Sequence, residues 1–395
     1  MIDMLDSIYL DNQATTPTDP RVLRAIAPFL DLKGVGNPHS EHFAGRRAAE
    51  AVEDARAKVA ALINACSEEV IFTSGATEAN NIALQGIMRS RHRRGNHMIT
   101  CVTEHKCVLE TAAFLSREGY RVDVLPVDEE GRIDIERLRG SINEETALVS
   151  IMMANNEIGV LQPIAEIAAL CRARGIVFHT DAAQAVGKVP IDVKALGVDL
   201  MSLSGHKIYA PIGVGALFIG EDSPVWPEPL FWGGKQERGL RSGTLAPHLC
   251  VAFGEASALA LTELKDDAER TLTLRSSFVE IVRAALPDIR VNAEHSPRLP
   301  GSLSIIVPGV DADRLLGALQ PHVAVSTNAA CSSGVLQPSH VLLALGLSEE
   351  EAASTLRIGF GRFNTAAEVE AAARLIAETA VRIRRSESAA KEAAA

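Results

Sequence analysis

Strand-like and helix-like runs alternate from residue 69 onward, and this alternation limits the fold more than any other feature of the chain. Strand-like runs lie at residues 70–72, 97–102, 121–125, 147–152, 176–180 and 200–203, and helix-like segments lie near residues 77–93, 106–118, 134–140 and 163–174. This βαβ order predicts an α/β fold with a mostly parallel sheet that is covered by helices on both faces. Ligands of such sheets bind beyond the carboxyl ends of the strands.

The pattern changes after about residue 260, where long helices are accompanied by only a few strands, at residues 302–307 and 322–326. We therefore predict a large domain over residues 16–260 and a smaller α/β domain over residues 1–15 and 261–385. A capping box of Thr365 and Glu368 predicts a helix that begins there and ends near Arg385. Residues 386–395 are expected to form a flexible tail.

Composition excludes several classes of function. The 395 residues carry a formal charge of −11, which argues against a nucleic-acid binder or a protein of anionic membrane surfaces. There is no apolar run of 18 residues or more, and the first residues lack the pattern of a signal peptide. The six cysteines are scattered without metal-ligand spacing. We expect a cytoplasmic protein with reduced thiols and no bound metal.

Lys207 ends an apolar run that breaks into small polar residues, Ser204-Gly205-His206-Lys207. A lysine at the end of a buried strand can be partly desolvated, which lowers its pKa and leaves a neutral amine able to form a Schiff base. Such a lysine suits pyridoxal phosphate (PLP), and Ser204 and His206 can donate hydrogen bonds to a phosphate. The alternative is a solvated surface lysine of the kind that strand ends commonly carry.

A second polar segment, Ser74-Gly75-Ala76-Thr77-Glu78, lies where a strand turns into a helix. The free backbone N–H groups and the positive end of that helix predict a phosphate cradle. Ser or Thr also caps helices routinely, so this segment alone has an ordinary structural explanation.

Three further strand ends carry side chains that suit the rest of the cofactor. Asp181 could pair with a protonated pyridine nitrogen, and Gln184 could reach the phenolic oxygen of the ring. His105 could stack on the ring and shuttle protons. Asn156 follows another strand and faces the same edge of the sheet. Each residue has a structural alternative, such as a helix cap for Asp181, and only their convergence indicates a site.

These segments together resemble the PLP-dependent cysteine desulfurases of the NifS/IscS type, within the class V aminotransferases. The resemblance covers nearly the whole chain, in residues 9–17, 36–40, 73–78, 103–105, 155–159, 204–207, 241–244 and 357–363. It implies fold-type I of the PLP enzymes, with a seven-stranded sheet in the large domain, and it implies a homodimer.

The resemblance also implies a role for individual residues. Lys207 would carry PLP covalently, Asp181 would pair with its ring nitrogen, Gln184 would contact its phenolic oxygen, and His105 would stack on the ring. The phosphate would be bound by Gly75, Ala76, Thr77, Ser204 and His206, and by Thr244 from the other subunit. The substrate would be bound by Asn156, Arg357 and Asn37. A guanidinium suits a carboxylate because its donors are two-pronged.

Cys331 lies in a run of small and polar residues, 326–334, which suggests a mobile loop. In the family that the chain resembles, such a cysteine attacks the sulfur of L-cysteine, becomes a persulfide, and leaves L-alanine as the product. The alternative for a lone cysteine is a buried and inert thiol. The resemblance implies a sulfur-acceptor protein as partner, which could serve iron–sulfur cluster assembly, tRNA thiolation or DNA phosphorothioation.

Other functions stay open at this point. A selenocysteine lyase or a related class V aminotransferase would use much the same cofactor site. A scaffold protein that kept the fold without catalysis is a third alternative, against which the presence of Lys207, Asp181 and Cys331 argues. An NAD-binding Rossmann enzyme is disfavoured because Gly213 and Gly215 come too late in the chain and lack a following helix.

Overall fold

The computed structural model describes residues 7–32, 34–327, 330–332 and 335–394. The strands are β1 (Ile8–Tyr9), β2 (Val70–Thr73), β3 (His97–Cys101), β4 (Arg121–Leu125), β5 (Thr146–Ser150), β6 (Val177–Asp181), β7 (Leu200–Ser204), β8 (Gly215–Ile219), β9 (Arg290–Val291), β10 (Ser302–Ile306), β11 (Val323–Ala324), β12 (Ser326–Thr327), β13 (Ala330–Ser332), β14 (Val335–Gln337) and β15 (Thr355–Gly359). The α-helices are α1 (Pro20–Ile26), α2 (Phe43–Leu62), α3 (Ala76–Arg89), α4 (Lys106–Arg117), α5 (Ile135–Ser141), α6 (Ile164–Arg172), α7 (Val193–Leu196), α8 (Pro247–Ala285), α9 (Ala312–Leu319), α10 (His340–Ala344), α11 (Glu349–Ala353) and α12 (Ala366–Ala394).

A seven-stranded sheet forms the centre of the molecule, with strand order β2-β8-β7-β6-β5-β3-β4. Neighbouring strands from β7 to β4 pair in parallel, whereas β8 runs antiparallel to both β2 and β7. Most of these strands are buried along their whole length, because a parallel sheet is covered on both faces. The predicted α/β fold with a mostly parallel sheet is confirmed.

Alternate residues of the central strands enter two different hydrophobic cores. Phe178 and Met201 belong to one core, and their neighbours Val177 and Leu200 belong to the other. This alternation follows from the two-residue period of a strand, which sends successive side chains to opposite faces of the sheet. Helices α2 and α8 contribute to the first core and α3 and α4 to the second.

A separate core lies around a four-stranded antiparallel sheet with strand order β12-β15-β10-β9. Leu10, Phe278, Ile305, Ile358 and Ile376 are among its buried residues. Our division of the chain into a large and a small domain stays a prediction, and the separation of this core from the first two supports it. The long helix α8 joins the two parts, because its Phe253 lies in the core of the large sheet and its Phe278 in that of the small sheet.

Helix α12 continues to Ala394 and does not end near Arg385. The final segment contains several alanines together with Lys391 and Glu392, all of which favour a helix. Residues 386–394 are helical, and the expectation that the tail from residue 386 is flexible stays a prediction. In the described part of the chain, none of the helices has the length and apolar character needed to cross a membrane.

The segment around Cys331 forms a short hairpin in which β13 pairs antiparallel with β14. The backbone of Cys331 lies opposite that of Leu336 in this hairpin. The side chain of Cys331 lies outside the described part of the structure, as do residues 328, 329, 333 and 334.

Candidate active site

The strand ends of the large sheet enclose a cleft of about 490 Å³. The predicted site residues that line it are Gly75, Ala76, Thr77, His105, Asn156, Asp181, Gln184, Ser204, His206, Lys207 and Arg357. They come together because β6 and β7 are parallel neighbours whose carboxyl ends reach the same edge of the sheet. Residues far apart in sequence thus form one polar site.

Lys207 lies in a short 3₁₀ turn, Gly205–Lys207, that follows directly after β7. Its Nζ donates hydrogen bonds to the backbone carbonyl oxygens of Gln13 and Ala14, the latter at 2.7 Å. Burial, and then the positive charge of Arg357, lower the pKa of Lys207 to about 8. About a tenth of the amine is therefore neutral at pH 7 and able to act as a nucleophile, far more than for an ordinary lysine.

The amino end of α3 forms one end of the cleft. Its cap residue, Gly75, has a φ of +154° and no side chain to bond the first backbone N–H groups of the helix. A Cβ on the neighbouring Gly215 would lie 2.6 Å from the Cα of Gly75, so this close approach needs glycine. The exposed N–H groups at the positive end of a 14-residue helix suit a phosphate.

His206 lies on the other side of this cradle, and its Nδ1 is 3.1 Å from Oγ1 of Thr15. Burial, and then the charge of Lys207, lower the pKa of His206 to about 4. The ring is therefore neutral at neutral pH, so it can donate a hydrogen bond without adding a charge. Ser204 is almost fully buried beside it, at 2% exposure.

Asp181 is buried at the end of β6 and is held in place by two donors. Its Oδ2 accepts a hydrogen bond from Nδ2 of Asn80 at 2.7 Å, and its Oδ1 accepts one from the backbone N–H of Ala183 at 2.9 Å. A fixed carboxylate in this position suits a cationic ring nitrogen. The nearby Glu104 differs, because burial, reinforced by the charge of Asp181, raises its pKa well above the ordinary range.

His105 caps α4, and its Nδ1 accepts a hydrogen bond from the backbone N–H of Cys107 at 3.2 Å. The Sγ of Cys107 lies 3.0 Å from the same nitrogen. An accepting Nδ1 places the proton of the neutral ring on Nε2. Burial lowers the pKa of His105, which favours that neutral form.

Arg357 reaches the cleft from β15 of the smaller sheet. Its Nη2 forms an ion pair with Oδ1 of Asp11 at 3.0 Å, and the other oxygen of Asp11 accepts a hydrogen bond from Ser326 at 2.7 Å. The Nε of Arg357 is buried and has no hydrogen-bond partner among the described residues. The guanidinium is therefore oriented by Asp11 and still has donor capacity for a substrate carboxylate.

Two predicted residues are not brought into this cleft, and a third has its side chain outside the described part of the structure. Asn37 is exposed, and its Oδ1 accepts a hydrogen bond from the backbone N–H of His39. Thr244 is also exposed, on the loop before α8. The position of the Cys331 thiol is outside the described part. The roles of these three residues, like those of the residues that line the cleft, stay predictions.

Sequence reasoning missed several partners of the site. Gln13 and Ala14 contact Lys207 through backbone carbonyls, which leave no mark on the residue type. Asn80 holds Asp181 from the second turn of α3, and Cys107 lines the cleft beside His105. Lys188 bonds Gln184, and its position four residues further along the chain was the only signal that could have found it.

Comparison with known proteins gives consistent matches over most of the chain. The pattern of the family described as "Aminotransferase class-V" matches residues 8–372. A probable mitochondrial cysteine desulfurase of Dictyostelium discoideum is 48% identical over 95% of this chain and 84% of its own length. Cysteine desulfurase IscS of Rickettsia akari is 45% identical over 96% of this chain and 92% of its own.

Solved structures agree with these relatives. A NifS-like protein superposes with a TM-score of 0.87 at 36% identity, covering 94% of this chain and 98% of that one. SspA in complex with cysteine superposes with a TM-score of 0.79 at 33% identity, covering 90% of this chain and 99% of that one. The resemblance drawn from the motifs, the fold-type and the expectation of PLP as cofactor are confirmed.

Proposed function

Because the chain belongs to the class-V aminotransferase family, we propose that it is a cysteine desulfurase that carries PLP on Lys207 and transfers the sulfur of L-cysteine to Cys331. The observation that carries this proposal is a desolvated lysine with a pKa of about 8 in a cleft that also holds a phosphate cradle and a buried carboxylate. The relatives named as cysteine desulfurases match nearly the whole chain, which favours this activity over the other activities of the family.

The residues present fit the cofactor. The uncapped amino end of α3, together with Ser204 and His206, would bind the phosphate, and Asp181 would pair with the ring nitrogen. Gln184 would face the phenolic oxygen and His105 the face of the ring. When bound, PLP supplies an electron-poor ring that takes up the electrons left behind as the α-proton of the substrate departs.

The proton transfers are assigned to Lys207 and His105. The amine of Lys207, whose pKa is lowered to about 8, would accept the α-proton in its neutral form. His105 carries a proton on Nε2 in its neutral form, so it can donate there and recover the proton later. Arg357 and Asn156 would hold the substrate carboxylate and so orient the α-carbon.

The sulfur transfer assigned to Cys331 needs no added oxidant. The Cys331 thiolate forms an S–S bond to the substrate sulfur, and the carbon–sulfur bond breaks with its electron pair going to the substrate carbon. That carbon then takes up a proton, so L-cysteine and the Cys331 thiol become L-alanine and a Cys331 persulfide. An acceptor protein would remove the outer sulfur.

The test is alanine formation by the PLP-loaded protein with L-cysteine and a thiol acceptor. We expect Cys331→Ser to keep the absorbance of bound PLP and to lose about 10³-fold or more of the turnover, because the attacking thiolate is gone. The control is Cys66→Ser, which changes an exposed cysteine that caps a short turn. Normal turnover by Cys331→Ser would remove the assignment of the nucleophile.

We also propose that the protein is a homodimer. Thr244, expected at the phosphate of the partner subunit, lies on the same loop as the exposed Phe231 and Trp232, which are 53% and 83% exposed. Phe231 lies beside Thr77 and Glu78 at the mouth of the phosphate cradle, where a second subunit would cover it. Trp232→Glu should shift the sedimentation of the protein toward monomer, and a monomeric unchanged protein would contradict the proposal.

The acceptor is proposed to be a protein of iron–sulfur cluster assembly, tRNA thiolation or DNA phosphorothioation. We propose a cytoplasmic location, because the cysteines that the structure describes are free thiols, as is usual in a reducing compartment. Capture of a partner on the persulfide form, with Cys331→Ser as the control, would identify the class. A partner that binds both forms equally would not be a sulfur acceptor.

A further inference from the structure

Lys188 lies next to the cleft and has no role in the mechanism described so far. Its Nζ donates a hydrogen bond to Oε1 of Gln184 at 3.0 Å. The other end of the same amide, Nε2 of Gln184, donates to the backbone carbonyl oxygen of Gln13 at 2.8 Å. That carbonyl also accepts a hydrogen bond from Lys207. A chain of hydrogen bonds therefore links the two lysines through Gln184 and Gln13.

This chain fixes which end of the Gln184 amide faces the cleft. An amide side chain has one oxygen acceptor and two N–H donors. The oxygen is turned toward Lys188, which lines a separate small cavity beside the cleft, and one N–H is used by Gln13. The group that remains for a ligand is an N–H donor. Gln184 is only 4% exposed, so water has little access to the amide and does not compete for these hydrogen bonds.

Lys188 has no carboxylate partner among the described residues that would neutralise it. The charged and titratable groups that face it from other elements are Lys207, His206, Arg357, Tyr209 and Asp267. Asp267 is already engaged with Arg362 at 2.8 Å and with Arg270 at 2.7 Å. Burial, followed by the charges of Lys207 and Arg357, lowers the pKa of Lys188 to about 7.

We propose that Lys188 is a positioning residue that holds the oxygen of Gln184 and so presents the N–H of that amide to the cofactor as a hydrogen-bond donor. This inference rests on the proposed function, in which Gln184 faces the phenolic oxygen of PLP. A hydrogen-bond donor stabilises that oxygen as an anion, and this favours loss of the proton at the Lys207 nitrogen. Lys188 acts through Gln184 and does not touch the reacting atoms.

The experiment is a pH titration of the absorbance of the PLP-loaded protein between about pH 6 and pH 10. Lys188→Met keeps the length of the side chain and removes the donor that bonds Gln184. We expect the midpoint of the absorbance change to rise by about one pH unit or more. Lys188→Arg should restore a midpoint within about 0.3 units of the unchanged protein. Lys194→Met, at an exposed lysine of α7, is the matched control and should not move the midpoint.

A second measurement uses the unloaded protein, so it does not depend on cofactor binding. The rate at which an amine reagent modifies Lys207 is followed against pH by peptide mass analysis. Because Lys188 acts on the cofactor through Gln184, Lys188→Met should leave the pH of half-maximal rate within about 0.3 units of the unchanged protein, and Lys188→Leu replaces it if the first variant fails to fold. A folded variant whose absorbance midpoint does not move, or whose Lys207 rate shifts as far as the absorbance does, would overturn the role of Lys188 as the residue that positions Gln184. Failure of the unchanged protein to bind PLP would instead contradict the proposed function.

Discussion

Two clusters of buried charge lie within the same molecule and use their cations in opposite ways. In the cluster that joins the amino-terminal segment, α8 and the loop after β15, Arg362 forms ion pairs with Asp19 at 3.0 Å and Asp267 at 2.8 Å. At the cleft, among the residues that the structure describes, Lys207 donates only to backbone carbonyls, and Lys188 beside it donates only to an amide oxygen. Paired cations support the fold, whereas lysines without a carboxylate partner are left with lowered proton affinity.

The pKa values follow this difference in partners. Burial alone would raise the pKa of Asp19, but hydrogen bonds from Arg21 and Arg362 lower it to about 2. Burial lowers the pKa of Lys207 to about 8 because nothing bonded to it compensates the lost hydration. Desolvation is thus offset by pairing where the charge is structural. At the cleft the cost of desolvation is not offset, and this keeps the amine reactive.

The largest expected effect comes from removing the amine of the cleft. Lys207→Ala should lower turnover of L-cysteine by about 10³-fold or more, because both the covalent link to PLP and the acceptor of the α-proton are lost. The denaturant concentration at which this variant is half unfolded should not fall, because the substitution removes an amine whose burial costs free energy. Alanine assays and denaturant titration measure the two effects. Turnover near that of the unchanged protein would remove Lys207 from the mechanism.

The next largest effect should come from breaking the structural cluster. Arg362→Met removes one of the two arginine partners of Asp19 and of Asp267, with Arg21 and Arg270 remaining, and should lower the free energy of unfolding by about 1.5–3 kcal/mol. The side chains of Arg362 and Asp19 are 6% and 1% exposed. The control is Arg374→Met, whose pair with Glu370 is 67% and 48% exposed and should contribute less than about 1 kcal/mol. Equal losses in the two variants would contradict the distinction between the clusters.

The smallest expected effect concerns pH, because the two clusters lose their contributions to the free energy of unfolding over different pH ranges. The folded protein holds His206 neutral to about pH 4, whereas the unfolded chain binds that proton near 6.5, so stability falls as pH drops through this range. Asp19 has the same sign in a lower range: its contribution is complete above about 3.8 and is lost as pH falls toward 2.

Two variants separate these ranges in the unloaded protein. His206→Asn should flatten part of the slope of stability against pH between about 6.5 and 4, and Asp19→Asn part of the slope below about 4. Denaturant unfolding at each pH is the measurement. A flattened slope in the wrong range for either variant would show that the assignment of the titrating group is wrong.

The sequence predicted the large sheet and most of the cleft because both depend on local patterns. Apolar runs that end in small polar residues placed Asp181, Lys207 and the cradle at Gly75 at the same edge of the sheet. Strand β8 was not predicted, since its run begins at Gly215 beside other glycines. Its position between β2 and β7 is set by pairing across the sheet.

What the sequence could not predict are contacts between distant segments. The carbonyls of Gln13 and Ala14 approach Lys207 from more than 190 residues away, and Asp11 orients Arg357 from the opposite end of the chain. Such contacts depend on how α8 and the smaller sheet place the amino-terminal segment over the cleft. The burial that lowers the pKa of Lys207 is a property of this assembled site.

The central claim is that the fold keeps Lys207 as a partly neutral amine before any ligand binds. The most direct test follows the rate of modification of Lys207 by an amine reagent in the unloaded protein across pH, by peptide mass analysis. The structure predicts that the rate is half-maximal at a pH near the lowered pKa of Lys207, about 8. A half-maximal rate near the ordinary lysine value of 10.5 would contradict the account.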